Sequence, residues 1–117
     1  LVTADGKTIY HAGDLHWWHW EGEPKADNGT MAANFKAFTE PLRGRCIDLA
    51  MVPLDGRLKE AEDWGLCCLL DLAELRTVIP MHQWEDYSPT ERFLQKHPEQ
   101  AGCILPVTQE PQSWEIP

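Results

Sequence analysis

Thr8-Ile9-Tyr10-His11-Ala12 is a strand-forming run that stops at Gly13-Asp14. β-branched and aromatic residues suit a pleated, half-buried surface, and Gly-Asp does not continue it. A chain built this way delivers a carboxylate to the end of a strand. Gly13, without a Cβ, leaves room for backbone or ligand to approach. The next residues, Leu15-His16-Trp17-Trp18-His19-Trp20, are dense in imidazole and indole. A carboxylate with imidazoles nearby is donor chemistry for a divalent metal. A second stretch, Val78–Trp84 (VIPMHQW), has the same form, an apolar strand ending in His82. The expectation is that the two strand ends meet at a metal, with Asp14 and His82 as ligands. The competing readings are a solvated turn for Asp14 and a packed, hydrogen-bonded side chain for His82.

The remaining elements follow from pattern. Leu1–Thr3 and Thr8–Ala12 flank Asp5-Gly6, the pair favoured in a type I′ hairpin turn. Asp14–Gly29 reads as a long loop, broken by Gly22, Pro24 and Asn28-Gly29. Met31, Phe35 and Phe38 have helical spacing over Thr30–Phe38, a stripe read as core packing. Ile47–Val52 is a nearly continuous apolar strand, of the sort covered on both faces. Glu60–Leu75 carries Ala61, Trp64, Cys68, Leu69, Leu72 and Leu75 on one helical face, with Gly65 weakening it. Thr77–Met81 is the next strand. Ser88-Pro89-Thr90-Glu91 starts a helix, with Ser88 as N-cap, that ends near His97 before Pro98. Cys103–Val107 and Trp114–Ile116 are further strands. Strands alternating with helices imply an α/β (α+β) chain whose functional side chains project from strand ends.

Among the other histidines, His11 lies within the strand, where it either holds a ligand or packs in the core. His16 and His19 form an HxxH pair that at helical spacing could ligate a metal, His16 more readily than His19; the interleaved indoles favour instead a pocket-lining loop, Trp17 included. His97 reads as a helix-end residue suited to the dipole there. Asp48 and Asp55 read as structural or turn carboxylates.

Composition narrows the classes. The 117 residues suffice for one domain with a modest core. A net charge of −9 argues against nucleic acid as a partner, and the basic residues are scattered. No apolar run approaches a bilayer's thickness, so no membrane partner is expected. Cys46, Cys67, Cys68 and Cys103 include no CxxC, and adjacent Cys67-Cys68 cannot form an ordinary bridge. They read as small buried hydrophobes in a reducing cytoplasm, with a redox role as the lesser alternative. Phosphate-binding glycine loops and the GxSxG nucleophile elbow are missing from the sequence. The chain opens at Leu1, without an initiator Met, and reads as a fragment or processed piece.

YHAGD, then IDLAMVPLDGR, a helix, and RTVIPMHQW together resemble the C-terminal half of metallo-β-lactamase-fold hydrolases. The subgroup most similar is that of the ascorbate-6-phosphate lactonase-like proteins. The match runs from about Leu1 to Trp84. It implies half of an αββα sandwich, a mixed sheet with helices on one face, formed by a single unit over residues 1–117. It also implies that Asp14 is the acidic ligand bridging two metal ions and takes part in catalysis, and that His82 completes the second metal site. Zinc is the default cofactor, two ions per intact site, with Mn2+ or Fe2+ alternatives for the same donors. The implied reaction is attack of a metal-bound hydroxide on an ester, lactone, amide or phosphodiester of a small-molecule substrate.

The Trp-rich loop departs from the family pattern, and His16 and Trp17 in it, with His11 on the preceding strand, are candidates for pocket or supporting roles. The family's HxHxDH motif and a further His ligand belong to the N-terminal half, and this sequence contains no match to either. The expectation is therefore a hydrolase parent and a fragment inactive alone. Its open sheet face would be covered by the missing half or by a second copy. The alternative is a non-catalytic interaction or oligomerisation module built on the same half-fold.

Overall fold

The computed structural model describes residues 1–83 and 86–105. The fold is α+β, and the described residues form a mixed four-stranded sheet, a separate strand pair and three α-helices. Strands β1 (Val2–Ala4) and β2 (Lys7–His11) form the expected antiparallel hairpin. Asp5 and Gly6 both have positive φ, 50° and 75°, as a type I′ turn requires.

Helix α1 (Lys25–Thr39) follows and begins five residues before the start read from the sequence, directly after Pro24. In the sequence Pro24 and Asn28-Gly29 read as loop breakers. Pro24 instead sits at the N-cap, and Gly29 is accommodated inside the helix. The Met31, Phe35, Phe38 stripe is only partly core. Phe35 is buried, whereas Met31 and Phe38 are 43% and 68% exposed.

The apolar run after α1 is split at Asp48 into β3 (Cys46–Ile47) and β4 (Leu49–Pro53). The Asp48 carboxylate accepts the Thr8 N–H at 2.8 Å and pairs with Arg76 at 3.3 Å, so it is structural. A 3-10 stretch over Gly56–Ala61 precedes α2 (Trp64–Leu72), which is shorter than the helix expected over Glu60–Leu75. The end of that segment is β5 (Glu74–Leu75), paired in parallel with β3. Leu66 and Leu69 of α2 are buried, and Trp64 is 37% exposed. The helix is apolar almost all round, so spacing alone misplaced its inner face.

Strand β6 (Val78–Met81) ends where expected, immediately before His82. Helix α3 (Ser88–Lys96) also falls where expected, but its N-cap is Tyr87. Asp86 rather than Ser88 supplies the side-chain acceptor, taking the Ser88 N–H at 3.1 Å. Of the next expected strand, Ile104 makes a parallel bridge to Val78. Cys103 lies in a turn and accepts the Val78 N–H at 2.8 Å, and the Leu105 N–H donates to Val78 O at 2.8 Å. Residues 106–107, with Trp114–Ile116 and Trp84, lie outside the described residues.

The sheet order is β1-β2-β4-β6, with β2, β4 and β6 parallel. Parallel neighbours need crossovers, and α1 and α2 provide them. All three strands therefore end at the same edge. One continuous cluster, including Phe35, Ile47, Leu54, Leu66, Leu69 and Phe93, forms the core. Among the described residues, no helix is long and apolar enough to cross a membrane.

Candidate functional site

Asp14 and His82 leave the C-terminal ends of β2 and β6, with β4 between them. Strands two positions apart are separated by roughly 10 Å, so both segments must bend to meet. Gly13 supplies one bend with φ 60°. A Cβ built on Gly13 would touch nothing within 4 Å, so its need for glycine is conformational and not the close approach expected from sequence. His82 supplies the other bend with φ 60°, a backbone state that costs a non-glycine residue energy and recurs at functional sites. The result is Asp14 Oδ1 at 3.0 Å from His82 Nε2, with Gly13 O at 3.3 Å from the same nitrogen. The Asp14 side chain is 93% exposed and that of His82 is 19% exposed. A carboxylate open to solvent beside a fixed imidazole is a donor pair with room for a third party.

His11 does not contact the Asp14 carboxylate. Its Nδ1 accepts the Gly13 N–H at 2.9 Å and so holds the turn that presents Asp14. The Trp18 indole donates to Asp14 O at 2.9 Å and closes the following turn. Asn28 bonds both the N–H and the carbonyl of Trp20, at 3.0 and 2.9 Å, and docks the loop on α1. Glu21 reaches Lys59 at 2.8 Å, and Arg57 lies over the Trp20 ring, which fixes the loop's far side.

His16 is buried, and neither ring nitrogen has a hydrogen-bond partner. It packs so tightly on α2 that a Cβ on Gly65 would lie 2.7 Å from Nδ1. Burial pulls its pKa down to about 4; the Asp55 carboxylate opposes the shift and His82 adds to it. The Glu62 backbone also pulls upward, though neither ring nitrogen reaches hydrogen-bond geometry. The imidazole is thus neutral at ordinary pH. Trp18 stands edge-on to both His16 and His82, at 5.0 and 5.9 Å between centroids, and links the two.

Asp55, at the end of β4, is fully buried and paired with Arg57 through Nε and an Nη at 2.6–3.1 Å, the structural role expected of it. Trp17 faces elsewhere. Its ring is tilted against Phe35 and edge-on to Trp64, with centroids 6.2 and 5.6 Å apart, and it lines a groove of about 540 Å3 with His19, Trp20 and Asn28. Neither Asp14 nor His82 lines that groove.

A second constellation went unnoticed in the sequence. Asp63, Cys67 and His97 each offer one donor atom, and these atoms lie within 4.8 Å of one another, a group able to hold a metal ion. Asp63 and Cys67 are four apart at the start of a helix, a spacing that marks one face. From sequence His97 reads only as a helix end. All four cysteines are free thiols. Comparison with family models, curated proteins and solved structures finds no match to this chain.

Proposed function

We propose that the chain is the metal-ligand-bearing C-terminal half of a metal-dependent hydrolase of the metallo-β-lactamase type. The observation that carries this reading is the 3.0 Å approach of Asp14 to His82 from two parallel strand ends, each bent by a positive φ. The residues fit the cofactor as two of its donors: an exposed carboxylate, able to bridge, and an imidazole of fixed orientation. Such a site needs several N and O donors per metal, so the remainder come from an N-terminal half bearing HxHxDH. A divalent metal, zinc by default, would supply activated water and polarise the scissile carbonyl or phosphoryl group of a small ester, lactone, amide or phosphodiester.

The chain's own residues do the positioning. His11 holds the Gly13 turn, Trp18 closes it and buttresses His82, and the neutral His16 supports Trp18 from inside. Exposed Leu1 and Val2 at the β1 edge, and Phe38 on α1, are apolar surface suited to cover by the other half or a second copy. The free thiols suit the reducing cytoplasm.

The experiment is Asp14→Ala and His82→Ala in the complete protein, reading bound zinc by emission spectroscopy and turnover on a panel of lactones, esters and phosphodiesters. Loss of zinc and turnover in both variants is expected. Unchanged zinc and turnover in Asp14→Ala would refute the assignment. Tight self-association of zinc-free protein without turnover would favour the interaction-module reading instead.

A further inference from the structure

Helix α2 opens with Asp63 at its N-cap, and the Cys67 N–H donates to the Asp63 carbonyl at 2.9 Å. That first helical turn puts the carboxylate and the thiol on one face. His97 caps the C-terminal end of α3 and meets them from a different element. Its Nε2 lies 3.7 Å from Cys67 Sγ and 3.8 Å from Asp63 Oδ2.

These two spacings are close to the edges of a coordination tetrahedron. Zinc binds sulfur at about 2.3 Å and nitrogen or oxygen at about 2.0–2.2 Å, so ligand atoms in a tetrahedral site stand roughly 3.3–3.6 Å apart. Closing the two His97 gaps takes a few tenths of an ångström, and the Cys67 and Asp63 donors lie within 4.8 Å of each other. The carboxylate is nearly buried, while His97 is 34% exposed, which leaves a solvent-facing fourth position.

The His97 imidazole has a carboxylate near its other nitrogen and an aromatic ring against its face. Its other nitrogen, Nδ1, stands 3.4 Å from Glu99 Oε1, and its ring packs on Phe93 with centroids 4.8 Å apart. A carboxylate behind a ligating histidine fixes its tautomer and raises its basicity. Lys96 Nζ, 3.5 Å from Asp63 Oδ2, supplies the local positive charge, and its half-exposed side chain can swing into solvent.

We propose that Asp63, Cys67 and His97 form a second cation site, for a borderline-soft divalent ion of the zinc class, with Glu99 behind His97 and water completing the shell. Binding forms a metal–sulfur bond in place of the Cys67 S–H bond, and the thiol proton leaves to solvent. An ion there ties the start of α2 to the end of α3. The site shares no residue with the Asp14–His82 pair and contains sulfur, which that pair lacks.

Cobalt(II) titration of the purified, reduced protein tests this, because a thiolate ligand gives a ligand-to-metal charge-transfer band that N and O donors do not. One equivalent of cobalt should bring up the band. Cys67→Ser and Cys67→Ala should abolish it, and His97→Gln and Glu99→Ala should weaken binding by about tenfold or more. Cys68→Ser, and the Asp14→Ala/His82→Ala double variant, should keep it. In the Asp14→Ala/His82→Ala background zinc should raise the melting temperature, and adding His97→Gln to that background should remove the rise, with folding checked by circular dichroism. The absence of a charge-transfer band in the parent protein, or a band that survives in folded Cys67→Ala, would overturn the proposal.

Discussion

The His16 imidazole lies against Gly65 with no space for a side chain between them: an alanine Cβ at position 65 would stand 2.7 Å from Nδ1 and 2.9 Å from Cε1. The main-chain nitrogen of Trp17 is only 3.3 Å from the same point, so the loop backbone cannot simply retreat. Helix propensity favours alanine over glycine by about 1 kcal/mol. Overpacking a tight site costs about 1–3 kcal/mol. We expect Gly65→Ala to lower stability despite the propensity gain, and His16→Ala to recover part of the loss in the double variant. Urea midpoints across the four-member cycle check this. A more stable Gly65→Ala would show that the contact is loose.

The same histidine predicts a pH dependence. Its pKa falls from 6.5 to about 4 on folding, first through burial and further through His82, against the opposing pull of Asp55 and the Glu62 backbone. The unfolded chain therefore binds more protons than the native state between those values. The associated stability is complete above pH 6.5 and is lost progressively as pH falls through 4, a change on the order of 3 kcal/mol. Carboxylates titrate in the lower part of this window, so the test is a difference. The gap between parent protein and His16→Asn should narrow as pH falls from 7 to 4 in metal-free buffer. A constant gap would contradict a buried, neutral His16.

Glu62 and Arg92 form a two-point pair across the start of α2 and α3, with both contacts at 2.8 Å and the carboxylate only 5% exposed. Arg92 is 45% exposed, so solvent screens part of the interaction. Arg92→Ala strands the buried carboxylate, and we expect it to cost about 2 kcal/mol. Arg92→Lys should recover only part of this, since an ammonium cannot make the forked contact. Thermal unfolding of the three proteins checks the order, and equal stability of Arg92→Ala and the parent protein would refute it.

How far the sequence revealed the fold depended on whether the signal was local. The Asp5-Gly6 hairpin, the end of β6 before His82, and the span of α3 were legible because turn chemistry, an apolar run and proline are short-range cues. The start of α1 was not, because glycine and asparagine inside it resemble loop. Asn28 earns its helical place through a contact to Trp20 that no local pattern records. Asp48 hid the break between β3 and β4, since its partner Thr8 is distant in sequence.

For the site, Gly13-Asp14 and His82 each announced a strand end. Their meeting depends on two positive-φ bends, of which only the glycine was visible. The Asp63–Cys67–His97 group went unseen because Cys67-Cys68 looked like core and the third member arrives from another helix.

Convergence of Asp14 and His82 on one cation is open to histidine ring-nitrogen NMR during zinc titration. In the parent protein the His82 Nε2 resonance should move as zinc is added. In Asp14→Asn the same change should require about tenfold more zinc or fail to occur. A His82 resonance that stays still while zinc saturates the protein, or that responds identically in Asp14→Asn, would contradict the account.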